Sequence, residues 1–148
     1  MLGVVPQEEY LIPFGQAKLV RAGDDVTLVA NLLMVHKSMQ AAQILQDDGI
    51  DAEVIDTRTL VPFDRSTVFE SVSKTGRLMI VEEDNLTGGW GAEVAARVAD
   101  TCVGYLDAPI RRIAAPDTPV PFAPIMENFF VPSVERIVSA ARDLVLPH

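Results

Sequence analysis

Residues 77–82 read Arg-Leu-Met-Ile-Val-Glu, four consecutive apolar side chains between charged ends. A strand sends successive side chains to opposite faces, so an unbroken apolar run is buried on both. Burial on both faces marks the interior of a parallel sheet, whose crossover helices cover it above and below. The neighbouring sequence supplies such helices. Residues 35–48 carry helix formers with apolar positions at Val35, Met39, Ala42 and Leu45, and Gly49 is a stop. Residues 52–57 form a strand, and Asp64 caps a helix over 65–75 that ends before Gly76. Residues 90–103 place Val94, Ala95, Val98 and Cys102 on one helical face, and 110–114 form a short strand. The cleanest helix covers 133–145, with Val134, Ile137, Val138, Ala141, Leu144 and Val145 opposite Glu135, Arg136, Arg142 and Asp143.

Upstream, residues 17–21 and 26–31 flank Ala22-Gly23-Asp24-Asp25, the pattern of a β-hairpin. Residues 1–14, with two prolines and an adjacent acid pair, read as an extended arm lying on something else. The predicted class is therefore α/β, with a mostly parallel sheet covered on both faces and one antiparallel edge strand. Residues 15–148 form one domain, as suits a chain of 148 residues.

Composition excludes several functions. Twelve basic against 21 acidic residues leave a net charge of −9, without the clustered cations that phosphate backbones or anionic membranes require. A single cysteine, Cys102, forbids an internal disulfide, which fits a reducing compartment. Two histidines and one cysteine leave no metal-ligand spacing. No apolar run has the length of a membrane span, and the first residues lack a signal-peptide pattern.

Two features tempt a catalytic reading. The segment Val81–Glu93, VEEDNLTGGWGAE, puts a glycine-rich turn between a buried strand and a helix, where a dinucleotide phosphate could sit. Gly88, Gly89 and Gly91 give the wrong spacing, and Glu82, Glu83 and Asp84 place three carboxylates at the mouth. Tight turning and close helix packing explain these glycines more simply. His36 stands at a helix start beside the sheet's carboxyl edge, an acid–base candidate. With no nucleophile or carboxylate fixed beside it, His36 defines no mechanism. Cys102 reads as core. Asp56, Arg58 and Asp64 read as a salt-bridged loop. Asp117 lies among Pro116, Pro119, Pro121 and Pro124, and this stiff stretch with Phe122, Phe129 and Phe130 looks like an interface, although core burial of the phenylalanines accounts for it equally.

Taken in order, the blocks EEYLIPFGQAKLVRAGDDVTLVA, MVHKSMQAA, EVIDTRTLVPFD, TGRLMIVEED with GGWGAE, and YLDAPIRRIAAPDTPVPFAP with VPSVERIV resemble one family. It is the C-terminal domain of the beta subunit of thiamine-diphosphate-dependent 2-oxo acid dehydrogenases, of the pyruvate, branched-chain and acetoin types. The resemblance covers the chain from about Glu8. It implies a three-layer α/β/α sandwich with a mixed five-stranded sheet, and a chain that is one piece of a larger subunit. The parent enzyme decarboxylates a 2-oxo acid, pyruvate first among the candidates, and acylates a lipoyl group. Its thiamine diphosphate and magnesium sit between two other domains, so this chain is expected to bind neither and to be inactive alone. The GDG motif of the family is missing; Gly23-Asp24 stands in a turn without the rest.

The resemblance also implies partners: an alpha subunit and a second beta subunit in a heterotetramer, and the basic subunit-binding domain of the acyltransferase core. Asp107 and Leu146 fall where the family has its acidic docking positions. The chain runs on through Pro147 and His148, so its terminal carboxylate is not expected where the family has it. A homodimer of the isolated chain, and a cytoplasmic or mitochondrial-matrix location, belong to the same reading. Two other classes compete with an assembly domain: a small free-standing enzyme using His36, and a nucleotide-binding module using the Gly88–Gly91 loop.

Overall fold

A computed structural model describes residues 7–146, in a five-stranded sheet ordered β1-β3-β2-β4-β5. The strands are β1 Lys18–Arg21, β2 Val26–Ala30, β3 Ala52–Asp56, β4 Leu78–Asn85 and β5 Arg111–Ala115. Strands β2 to β5 run parallel, and β1 pairs antiparallel with β3. The helices are α1 Leu32–Asp47, α2 Arg65–Thr75, α3 Trp90–Cys102, α4 Pro124–Phe130 and α5 Val134–Val145. Helices α1 and α5 cover one face and α2 and α3 the other, which gives the three expected layers. The alternation in β4 assigns its side chains: Met79 and Val81 enter the α1/α5 core, while Leu78 and Ile80 enter the α2/α3 core.

The hairpin expectation is overturned. β1 and β2 do not touch; β3 lies between them. The reason lies in the turn. Gly23 crosses so close to Ala52 and Glu53 that a Cβ there would fall 2.5 Å from backbone atoms of both. Asp25 then bonds to Asp51 twice, the Asp25 N–H to the Asp51 carbonyl at 2.9 Å and the Asp51 N–H to the Asp25 carboxylate at 2.7 Å. The turn thus steps over the start of β3, leaving β2, buried at every position, free to take a parallel neighbour on each side.

Local signals place other boundaries well. The Asp64 carboxylate accepts from Thr67 N–H, and Gly76 ends α2 in the left-handed region at φ 66°. α1 begins earlier than its periodicity predicts, at Leu32, whose own φ is 48°. The proline-rich stretch contains a helix that the sequence reading missed, α4, begun by Pro124 at its first turn. Of the predicted arm, residues 7–14 are exposed and carry no helix or strand, and residues 1–6 lie outside the described residues.

Candidate functional site

The four parallel strands end together, and their carboxyl edge is where open α/β sheets hold ligands. The crevice there falls between β2 and β4, because α1 follows β2 onto one face while α3 follows β4 onto the other. In this chain the end of β4 beside that crevice is built around a buried acid. β4 continues to Asn85, past its last pairing with β2 at Val81. Period two puts Glu82 on the same face as Leu78 and Ile80, beneath the start of α3. Its carboxylate is fully buried. One oxygen accepts from the Gly91 N–H at 2.8 Å; the other accepts from Arg112, Nε at 2.9 Å and Nη2 at 2.6 Å.

This corrects the picture of three carboxylates at the loop mouth, since Glu82 is turned inward and only Asp84 is exposed. It also explains the glycines. A Cβ at Gly91 would fall on the Glu82 carboxylate, and one at Gly89 on the Asn85 carbonyl. Gly88, at φ 80°, supplies the turn. The positive end of α3, which a phosphate would need, is held by the protein's own glutamate. Gly23-Asp24 is no better placed: Gly23 is buried against β3 and Asp24 pairs with Lys74 at 3.5 Å. The residues present therefore do not fit a diphosphate–magnesium group. Among the described residues no three His, Cys, Asp or Glu side chains converge as metal ligands.

His36 is exposed on α1, with Leu32 and Gln40 one turn away on the same face. Nothing there supplies a nucleophile. Cys102 is buried at 2% exposure in the α2/α3 core. The Asp56–Asp64 loop is held by hydrogen bonds to backbone and hydroxyl groups rather than by salt bridges. Asp56 accepts from the Arg58 N–H, and Asp64 accepts from Ala17 N–H at 2.9 Å, Ser66 and Thr67. Burial pushes the Asp64 carboxyl up, but these hydrogen bonds, that of the Thr67 hydroxyl foremost, outweigh it and hold the group below its ordinary value.

Beyond β5 the carboxyl edge opens into two adjoining cavities. One, of about 580 Å³, is walled by Arg112, Arg136, Asp117 and Asn128. The other, of about 600 Å³, is a nearly apolar groove between the prolines and α4. Pro116 and Phe129 line both. The two phenylalanines that sequence could not separate now part company. Phe130 is 5% exposed and belongs to this domain's own interior, whereas Phe129 is 82% exposed. Phe122 is wholly exposed, and Ile125, Met126 and Val120 are largely so. Further along the edge Leu32, Val61 and Leu86 are exposed, as are Leu11 and Phe14 of the arm.

At the amino end of the sheet Asp107 is exposed and donates its N–H to the Gly76 carbonyl at 2.8 Å. Leu146 caps α5 and is 56% exposed. Gly76 follows α2 just before β4, and Arg142 in the last turn of α5 pairs with Asp48 just before β3, so both predicted docking positions lie at the amino end of the sheet. Arg112 is the structural residue that sequence reasoning missed. Its signal was present: two adjacent arginines inside a strand must point to opposite faces, and one of them must therefore find a partner within the fold.

Comparison with known proteins settles the lineage. The transketolase C-terminal domain family matches residues 15–137. The chain belongs to that family. It is 43% identical over 143 residues to the 2-oxoisovalerate dehydrogenase subunit beta of Bacillus subtilis, covering 96% of this chain and 44% of that protein. It is 46% identical over 140 residues to the acetoin:2,6-dichlorophenolindophenol oxidoreductase subunit beta of Cupriavidus necator, covering 95% and 41%. It is 45% identical over 138 residues to the pyruvate dehydrogenase E1 component subunit beta of Rickettsia felis, covering 93% and 42%. The chain thus spans less than half the length of the curated relatives it matches. A solved split-gene transketolase, described as an inactive beta4 tetramer, superposes with a TM-score of 0.80 at 27% identity, covering 90% of this chain and 43% of that one. The resemblance drawn from the sequence blocks, and the fold it implied, are borne out.

Proposed function

We propose that this chain is the assembly domain of the beta subunit of a 2-oxo acid dehydrogenase, holding the decarboxylase together rather than doing its chemistry. The observation that carries this reading is the carboxyl edge. Beside the crevice where α/β enzymes place a ligand, the start of α3 is occupied by the buried Glu82–Arg112 pair, while the rest of the edge exposes large apolar side chains. A monomer seldom leaves a contiguous apolar patch of several hundred Å² uncovered. The parent enzyme decarboxylates a 2-oxo acid, with pyruvate the first candidate. Thiamine diphosphate and magnesium would be bound by domains other than this one. The partners in this reading are an alpha subunit and a second beta subunit, in a bacterial cytoplasm or a mitochondrial matrix; that the relatives are named beta subunits, one of them mitochondrial, supports it.

The amino end carries the second docking site. Asp107 and Leu146 are both at that end and exposed, which suits the basic subunit-binding domain of an acyltransferase core. Exposed carboxylates facing Lys and Arg give fast, salt-sensitive association.

Sedimentation velocity of the chain, alone and mixed with an alpha subunit and the remaining portion of a beta subunit, tests the proposal. The expected outcome is a heavier, mixed species and no decarboxylase activity from the chain alone. A chain that ignores both partners, or that turns over a 2-oxo acid unaided, overturns it.

A further inference from the structure

One apolar part of the carboxyl edge lies within reach of this chain's own arm. On the α2/α3 face a notch of about 290 Å³ is lined by Leu60, Val61, Phe63, Trp90 and Val94. Its charged rim is already paired: Arg97 meets Glu93 at 2.7 Å and stacks over the Phe63 ring, 5.9 Å from its centre. Among the described residues none of the arm lines the notch. The arm instead holds apolar side chains out to solvent, Leu11 at 85% and Phe14 at 83% exposure, while Val61 of the notch is 91% exposed. We propose that residues 10–14 are a strap that closes over this notch, laying Leu11 and Phe14 against Val61 and Trp90.

Three observations carry the strap. The first is its root. The Gly15 N–H donates to the Thr59 hydroxyl oxygen at 2.9 Å, and the Ala17 N–H to the Asp64 carboxylate at 2.9 Å. Gly15 has φ 74°, and a Cβ there would fall 3.0 Å from the Pro62 ring, so glycine suits this close turn over the loop as no other residue does. Thr59 and Pro62 flank Leu60 and Val61, and Ala17 packs on the same core cluster as Phe63 and Trp90. The strap thus springs from the lip of the notch. The second is reach. The four residues from Gly15 back to Leu11 span up to about 14 Å when extended, and a strap fixed at its root has only a short loop to close. The third is chemistry. Both surfaces are apolar and closure removes each from water, while the paired Glu93–Arg97 rim leaves no charge to strand. In the closed form the strap shields part of the edge until a partner displaces it; that role rests on the assembly reading, and the closure itself does not.

Trp90 is the chain's single tryptophan and is half-buried, so its fluorescence reports on the notch. In the purified full chain carrying Leu11→Ser and Phe14→Ser together, the emission should move to longer wavelength and acrylamide quenching should rise. The circular dichroism spectrum should stay unchanged, because both side chains lie outside the core. Diluting the wild type should leave its emission constant, as closure within one chain requires. Leu11→Cys combined with Val61→Cys should form a disulfide within one chain under mild oxidation; Cys102 is buried and does not compete. Trp90 emission and quenching indifferent to the double serine variant, an emission that changes on dilution, or a disulfide that forms only between chains overturns the proposal. The two readings fail separately. A chain whose Trp90 ignores the strap but which joins an alpha subunit loses the strap and keeps the assembly role; a closed strap in a chain that ignores the alpha subunit does the reverse.

Discussion

The two ends of the sheet are finished in opposite ways. At the amino end charged side chains pair locally: Arg21 with Asp51 at 3.0 Å, Arg142 with Asp48 at 2.6 Å, and Lys74 with exposed Asp24 and buried Glu53. The hydrogen bond to Glu53, above all, pushes the Lys74 ammonium above its ordinary value. Among the described residues, the exposed large apolar side chains toward that end include Ile44, Val103, Tyr105 and Leu146. At the carboxyl end the Glu82–Arg112 ion pair is buried, and apolar side chains face outward. A catalytic α/β domain spends its carboxyl edge on polar groups converging around a substrate. Here that edge holds a buried ion pair beneath α3 and is apolar at its margins, as the proposed assembly role requires.

The seal is the feature whose loss should cost most. Arg112→Ala strands a fully buried Glu82 carboxylate, and breaking a buried pair from one side typically costs about 3–5 kcal/mol. Urea denaturation should show a loss of that order. A loss below about 1 kcal/mol would mean that water reaches Glu82, and the claim of a sealed pair beneath α3 would fail. Gly91→Ala attacks the same contact sterically. The added methyl meets the Glu82 carboxylate, so a smaller loss of about 1–3 kcal/mol is expected. If adding nucleotide protected the Gly88–Gly91 loop from hydrogen exchange, the phosphate-binding reading would return.

Why the sequence displayed some of this and hid the rest is clear from particular residues. Asp64 and Gly76 declared the ends of α2 because capping is chemistry local to a few residues. The apolar run at 78–81 declared a central strand because no other element buries four consecutive side chains so well. The partner of β1 was hidden, since a Gly-Asp turn is compatible with a hairpin, and only the packing of Gly23 against β3 decides otherwise. Glu82 and Arg112 are 30 residues apart, and nothing in either neighbourhood names the other. The helix α4 was masked by its own prolines, one of which in fact starts it. At the candidate docking patch, sequence identified the aromatic residues but could not show that Phe130 points inward and Phe129 outward, because both belong to one short helix with a single buried residue.

Asp64 tests the junction between α2 and the segment that leads into β1. Its carboxylate caps α2 and also receives the Ala17 N–H, so it ties the helix to the segment leading from the arm. Asp64→Ala should lose about 1 kcal/mol, in line with other N-cap removals. Because the folded state lowers its pKa, the stabilisation is present above the unfolded value near 3.8 and is lost as pH falls through the lower folded value. Acid unfolding of the wild type and of Asp64→Asn, compared between pH 2 and pH 5, should converge at the acid end. Curves that stay parallel throughout would show that the charge of Asp64 contributes nothing.

The smallest stability effect is expected at Asp107, and there the sign is informative. Its carboxylate lies against Gly76, at the carboxyl terminus of α2. A helix ends in unpaired carbonyls and partial negative charge, so an acid is poorly placed there and a base well placed. Folding alone therefore gives no reason for an aspartate at this position. Asp107→Lys should leave the melting temperature unchanged or slightly raised, while weakening the binding of a basic subunit-binding domain and flattening its salt dependence. Melting and binding measured on the same preparation decide between two accounts. If the lysine variant is destabilised and binds normally, Asp107 serves the fold of its own domain. If it folds as well and binds worse, the charge is held at the wrong end of a helix for the sake of a partner, and the amino end, like the carboxyl end, is shaped by what covers it.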